Sequence, residues 1–262
     1  MQGALQELIQ HLLCQGLGVN SGAGQDSGGH LPLLLQVGDG QIRFLRMGGR
    51  EMFSMTCIHA KMNQSKVMSL AWHPHREGLL AFGTDEGRVG WVEALGQGRM
   101  PTFSSYQHRG GVYSVTWGQG VEGEDEEQVM LYSCGDGKVV QHCTRSGKGL
   151  DIQGTIEKAN TVGNKVSGKS QVVWVERDQV KLLLLGCDDG TIEIYKVPSL
   201  NLVATIKSQS KLIQSLSLHP HHMEDGEQSK YSSFLASASN EFPIHVFDLS
   251  TLMNPSTSPT TP

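Results

Sequence analysis

Apolar and polar residues alternate over short stretches of this chain, and glycine-centred turns separate the stretches. In TIEIYKV, Ile192, Ile194 and Lys196 fall on one side while Thr191, Glu193 and Tyr195 fall on the other. A period of two is a strand signal, because successive side chains of an extended backbone point to opposite faces. An apolar run, a tight turn and a second strand recur as LLAFGTDEGRVGWVEA from Leu79, MLYSCGDGKVVQH from Met130 and LLLLGCDDGTIEIYKV from Leu182. A further copy, FLASASNEFPIHVFDL from Phe234, replaces the Asp-Gly turn with Asn240-Glu241-Phe242-Pro243, which predicts a looser hairpin. LLLQVGDGQIRFL from Leu33 is a fifth copy that stands without a partner strand upstream. Asp-Gly supplies the positive-φ residue a tight hairpin requires.

Each full copy is preceded by another strand: VMSLAWHP from Val67, VYSVTWGQ from Val112, QVVWVERD from Gln171 and IQSLSLHP from Ile213. The turn glycines Gly40, Gly87, Gly137 and Gly190 lie roughly 47 to 53 residues apart, within the period of propeller blades. Kelch blades share that period, and a β-sandwich with regular turns is the other competitor. These units lack the Gly-Gly doublet of kelch blades. Their Trp72-His73-Pro74 ending, echoed by Leu218-His219-Pro220, is that of a WD strand. The expected class is therefore all-β, with WD40-type β-propeller blades over 51–98, 99–150, 151–206 and 207–253, and a partial blade over 31–50. Propellers close with typically four to eight blades, WD propellers mostly with seven, so about four and a half units predict an incomplete propeller. The missing blades are expected from a longer chain or from elsewhere.

Composition narrows the function. The net charge of −5 over 262 residues argues against coating nucleic acid by bulk charge. Five cysteines, Cys14, Cys57, Cys134, Cys143 and Cys187, show no C-x-x-C spacing, which fits thiols in a reducing compartment and no zinc site. No basic segment followed by an apolar core opens the chain, and no apolar run reaches membrane-spanning length, so a cytosolic or nuclear protein with no membrane partner is expected. Residues 1–30 contain the Gly/Ser/Gln-rich stretch from Gln15 to Gly29 and are expected to be a disordered segment; Asn254 to Pro262 reads as a Ser/Thr/Pro linker.

Candidate chemistry is sparse. His219, His221 and His222, with Glu224 and Asp225 behind them, are adjacent loop residues that rarely converge on one ion, and no second ligand pair supports a metal. Trp72, Trp117 and Trp174 align in the repeat and read as packing residues. The turn acids Asp39, Asp85, Asp136, Asp188 and Asp189 answer to turn chemistry and are poor catalytic acids. The acidic run from Glu122 to Glu127 reads as a solvated loop, and Lys165, Lys169, Arg177 and Lys181 are too few to define a nucleic-acid surface. No G-x-S-x-G, P-loop, H-E-x-x-H or dinucleotide fingerprint occurs, so neither an enzyme nor a cofactor is expected.

The stretches from Lys66 to Gly90, Arg109 to Gly118, Leu131 to His142 and Leu185 to Ile206, in that order, resemble the WD-repeat region of the gem-associated protein 5 family, as does the degenerate last unit. The resemblance covers roughly Leu33 to Leu252, and residues 1–30 resemble nothing in it. It implies two seven-bladed propellers side by side, with this chain across their junction. It also implies recognition of the Sm site of small nuclear RNA and of the 7-methylguanosine cap, partnership with SMN-complex proteins (the other Gemins), and a place in cytoplasm and nucleus, including nucleoplasm and Gems. No DNA partner is expected. Most of the family's RNA-contacting residues lie in blades outside this chain. One position matches: the aromatic heading the strand VYSVTW, here Tyr113, which in the family contributes to the cap and RNA surface. Stacking of a base on an aromatic is worth about 1–3 kcal/mol and suits the cationic ring of methylated guanine. The opposing reading puts Tyr113 in the core, since it shares a strand face with Val115 and Trp117. A generic WD scaffold that binds proteins without RNA is the alternative function.

Overall fold

The structure, a computed structural model, describes residues 32–37, 41–48, 51–59, 65–73, 76, 78–93, 100–119, 129–135, 137–144, 150–157, 161–162, 165–166, 169–177, 180–197, 199–218, 233–241 and 243–253. The turn units form antiparallel sheets that follow one another along the chain. The first holds β1 (Pro32–Val37), β2 (Gln41–Gly48) and β3 (Glu51–His59). The second runs β4 (Val67–Trp72), β5 (Leu79–Thr84), β6 (Arg88–Glu93) and β7 (Thr102–Gln107), and the third runs β8 (Val112–Gln119), β9 (Val129–Gly135), β10 (Lys138–Thr144) and β11 (Leu150–Glu157). Their outer strands touch through one parallel bridge, Leu150 to Ser104. A short hairpin, β12 (Thr161–Val162) with β13 (Lys165–Val166), precedes the fourth sheet of β14 (Lys169–Arg177), β15 (Val180–Cys187), β16 (Thr191–Lys196) and β17 (Asn201–Lys207). The last sheet has β18 (Ile213–Leu218), β19 (Phe234–Ser239) and β20 (His245–Asp248), followed by a single helical turn, α1 (Ser250–Met253).

Three turn glycines close as expected: Gly137 adopts a φ of 78°, and Gly87 and Gly190 adopt 86° and 79°. A side chain at Gly87 or Gly190 could not be housed, because a Cβ would overlap the carbonyl oxygen of His108 or of Gln209.

The core is not one body but a series of seams between successive sheets. Ile42 of β2 packs with Val67, Leu80, Phe82 and Val92 of the second sheet. Leu79, Ala81 and Val89 meet Val112, Val115 and Trp117 of the third. Met130, Tyr132 and Cys134 meet Val172, Leu183 and Tyr195 of the fourth. Leu184, Ile192 and Ile194 meet Ile213, Leu216 and Leu235 of the last. The inner strands β4, β8, β14 and β18 pack in sequence along these seams, which is the radial arrangement of propeller blades.

Alternation along a strand does not translate here into one buried and one exposed face. In β16, Ile192 and Ile194 are buried against the last sheet, while Tyr195 is buried against the third and Glu193 is fully enclosed. An interior blade has a neighbour on each side, so both faces lose water and β15 reads as an apolar run. The sheets also divide the chain differently from the sequence units. β3 belongs with β1 and β2, which makes the first sheet fuller than a 31–50 partial blade, and β7 completes the second sheet although it lies beyond residue 98. The predicted disorder of residues 1–30 and the 254–262 linker lie outside the described residues.

Candidate functional site

Every inner strand breaks its ladder at the second residue. The register shifts between Val67 and Ser69, Val112 and Ser114, Lys169 and Gln171, and Ile213 and Ser215. Met68, Tyr113, Ser170 and Gln214 are thus the extra residues of four β-bulges. A bulge resets the alternation, and its effect is plain in β8. Val112, Ser114, Val115 and Trp117 are buried, whereas Tyr113 is 50% exposed. The core alternative for Tyr113, which rested on unbroken alternation with Val115 and Trp117, is therefore corrected. Met68 and Gln214 are exposed at the equivalent positions.

Tyr113 is held by what surrounds it. Gly111 lies between the Asp85 backbone of the preceding blade and the Tyr113 ring, and a Cβ there would sit 3.5 Å from Asp85 Cα and 3.7 Å from Tyr113 Cε1. The next residue, Ser114, accepts from the Val172 amide at 3.3 Å, tying β8 to β14. The ring is thus presented from a strand anchored on both sides.

Beneath this surface runs a buried polar relay. His108, in the loop entering β8, places Nε2 2.9 Å from Ser133 Oγ, and Ser133 Oγ lies 2.8 Å from His142 Nε2. His142 Nδ1 lies 3.0 Å from Ser104 Oγ on β7, whose hydroxyl accepts the Tyr106 amide at 3.2 Å. The relay joins the loop entering β8 to β9 and β10 of the third sheet and to the outer strand β7 of the second. Burial, and secondarily the neighbouring His108, push the pKa of His142 down to about 3, so it stays neutral. The corresponding position in the fourth sheet is Tyr195, whose hydroxyl donates to Glu193 Oε2 at 3.0 Å. Burial chiefly, with help from Glu193, pushes the Tyr195 phenol above its ordinary range.

Other sequence candidates fall where packing and turns need them. Trp117 is buried, donates Nε1–H to the Ala71 carbonyl at 2.9 Å and stacks on Trp91 at 6.3 Å. Trp72 is half-buried against the first seam, and Trp174 pairs with Leu183 at the same register. Asp189 Oδ1 accepts the Thr191 amide at 3.0 Å within its own turn, whereas Asp85 Oδ1 reaches from its turn to accept the Lys66 amide at 2.8 Å where the chain enters β4. Cys134, Cys143 and Cys187 are buried in the blades. Lys165, Lys169, Arg177 and Lys181 belong to β13, β14 and β15. Asp39, Asp136, the His219–His222 cluster and the acidic run lie outside the described residues. Among the described residues, no group of three or more His, Cys, Asp or Glu could hold a metal, and no helix is long and apolar enough to cross a membrane. The bulges at Met68 and Gln214 and the relay through His108 went unread in the sequence. Only the Ser and His flanking the third-sheet turn hinted at the relay.

These sheets, seams and turns define a WD-repeat protein, and the comparisons agree. Residues 33–120 match the family model described as the anaphase-promoting complex subunit 4 WD40 domain. Among solved structures, a computationally designed protein, Ika8, superposes with a TM-score of 0.55 over 86% of this chain and 57% of its own, at 14% identity, a likeness of fold alone. Human gem-associated protein 5 is 38% identical over 203 residues, and the mouse protein 35% over 200. These alignments take in 74% and 72% of this chain but 13% of each relative. The chain belongs to the gem-associated protein 5 family and spans a small part of the length of these relatives.

Proposed function

We propose that this chain is a non-catalytic RNA-binding scaffold that recognises small nuclear RNA, through its Sm site and 7-methylguanosine cap, during spliceosomal ribonucleoprotein assembly with SMN-complex proteins in cytoplasm and nucleus. The observation that carries the reading is Tyr113. It is the residue matched to the family's RNA-contacting aromatic, and it stands half-exposed on a bulge braced at both ends. Such a ring offers a face to a base without ordering a flexible side chain first. The methylated guanine of a cap is cationic, which adds attraction to the ring face. The acidic chain then contributes selectivity by stacking, where bulk charge would give none.

Fluorescence anisotropy with a capped and an uncapped Sm-site RNA tests this. Both should bind, the capped one more tightly, and a Tyr113→Ala chain should lose about 5- to 100-fold for the capped RNA. Equal binding by the variant defeats the reading. The second reading, a scaffold for proteins alone, is favoured by apolar side chains exposed on outer strands: Phe103 of β7, Ile152 of β11, and Leu202 and Val203 of β17. Retention of protein partners without any RNA binding would select it.

A further inference from the structure

The loop entering β18 and the turn leaving β19 border an open pocket of about 510 Å³ lined by Gln209, Ser210, Glu241, Pro243 and His245. Gln209 occupies the place that His108 holds in the relay. Each donates its backbone N–H to the carbonyl of a positive-φ glycine, His108 to Gly87 at 2.9 Å and Gln209 to Gly190 at 3.0 Å. There the likeness stops. Ser237, which corresponds in register to Ser133, is engaged by Ser208 Oγ at 3.0 Å, and Phe247 replaces His142 with a ring that cannot hydrogen-bond. Gln209 turns Nε2 to the Pro243 carbonyl at 3.2 Å, and its Oε1 is buried with no hydrogen-bond partner, in a residue only 7% exposed. A buried acceptor left in that state is uncommon in native proteins and points to a donor supplied from outside.

The same lining provides a carboxylate. Glu241 accepts the Ser210 hydroxyl at 2.6 Å on Oε1 and the Ser210 amide at 3.1 Å on Oε2. The Ser210 hydroxyl first, and its amide second, hold the Glu241 carboxyl below the usual carboxylate range, so it is anionic at neutral pH. Lys211 Nζ approaches Glu241 Oε1 only to 3.7 Å, and the imidazole of His245 lines the same space.

We propose that this pocket binds the side chain of an arginine from a partner protein, the guanidinium donating to Glu241, displacing Lys211, and drawing the Gln209 amide outward so that its Oε1, closed off from solvent in the free chain, gains a donor. The guanidinium is chosen over an ammonium because one planar group with five donors can serve both acceptors, and its flat face suits the imidazole. An ammonium is already at hand in Lys211 and reaches Glu241 alone. Ile244 and Val246, the chain neighbours of His245, are 62% and 61% exposed and leave apolar surface along this edge strand for the residues flanking that arginine. This site stands apart from Tyr113 and does not rest on RNA binding.

The test titrates the whole chain with a short valine-flanked arginine peptide, its citrulline and lysine counterparts, and N-acetylarginine amide, following the His245 ring by NMR. The arginine peptide should shift His245 and saturate; citrulline, which keeps the shape and loses the charge, should bind about tenfold more weakly, as should lysine. Glu241→Gln should lose at least about tenfold, while Lys211→Met, which removes the internal competitor, should tighten binding. This opposite-signed pair keeps the test decisive even if one variant unfolds. Equal binding of arginine and citrulline peptides, wild-type affinity in Glu241→Gln, or no response of His245 to any probe overturns the proposal. Binding of N-acetylarginine amide as tight as that of the peptide overturns the assignment to a partner protein.

Discussion

Acidification should destabilise this protein through His142, and the size of the effect follows from its burial. His142 is 0% exposed, and enclosure, with His108 beside it, lowers its pKa from the ordinary 6.5 to about 3. Below pH 6.5 the unfolded chain takes up a proton that the folded chain refuses until about pH 3. The stability contributed by this neutral histidine is therefore fully present above pH 6.5 and is lost as the pH falls through that window. One pKa unit corresponds to about 1.4 kcal/mol, so moving from pH 6.5 to 5 costs roughly 2 kcal/mol. Urea unfolding of the wild type and of His142→Gln at pH 7 and pH 5 isolates this contribution, because all other titrations are common to both. The variant is weaker at pH 7, having lost the contacts to Ser133 and Ser104, but the gap should narrow by about 2 kcal/mol at pH 5. Parallel pH dependence of the two proteins, or a His142 resonance titrating near 6.5, refutes the reasoning.

Three further outcomes follow from the seams and turns. Trp117→Ala empties the seam between the second and third sheets and orphans the Ala71 carbonyl, and thermal or urea unfolding should register a loss of about 3–5 kcal/mol. Tyr113→Ala, by contrast, should shift the unfolding midpoint by no more than about 0.5 kcal/mol, since the ring lies outside every seam. Gly190→Ala sets a Cβ against the Gln209 carbonyl at a φ of 79°, and should cost about 1–3 kcal/mol of stability in the same assay, with loss of the Gln209 amide contact seen as faster hydrogen exchange there.

Strand alternation and Asp-Gly turns are local features, so the hairpins and their repeat were legible residue by residue. What each face meets is not local. TIEIYKV alternates along the chain, yet Ile194 and Tyr195 are both enclosed because a different sheet covers each side. Sheet membership is not local either: β7 joins β6 by backbone hydrogen bonds, which leave no mark on side-chain pattern. The bulge at Tyr113 is likewise a backbone event. Met68, Tyr113, Ser170 and Gln214 share the position and nothing in side-chain chemistry, so no residue type announces it. The relay needs His108 and Ser133 brought together from 25 residues apart by the β8–β9 pairing. The Tyr113 candidate itself came from family resemblance, and only the fold could decide between core and surface.

Photocrosslinking a 7-methylguanosine-capped Sm-site RNA to the whole chain and mapping the modified peptide tests the central claim most directly. The account predicts a crosslink within Val112–Gln119 at Tyr113, suppressed by excess cap analogue. Crosslinks confined to other strands, or a Tyr113 crosslink indifferent to that competitor, would contradict it.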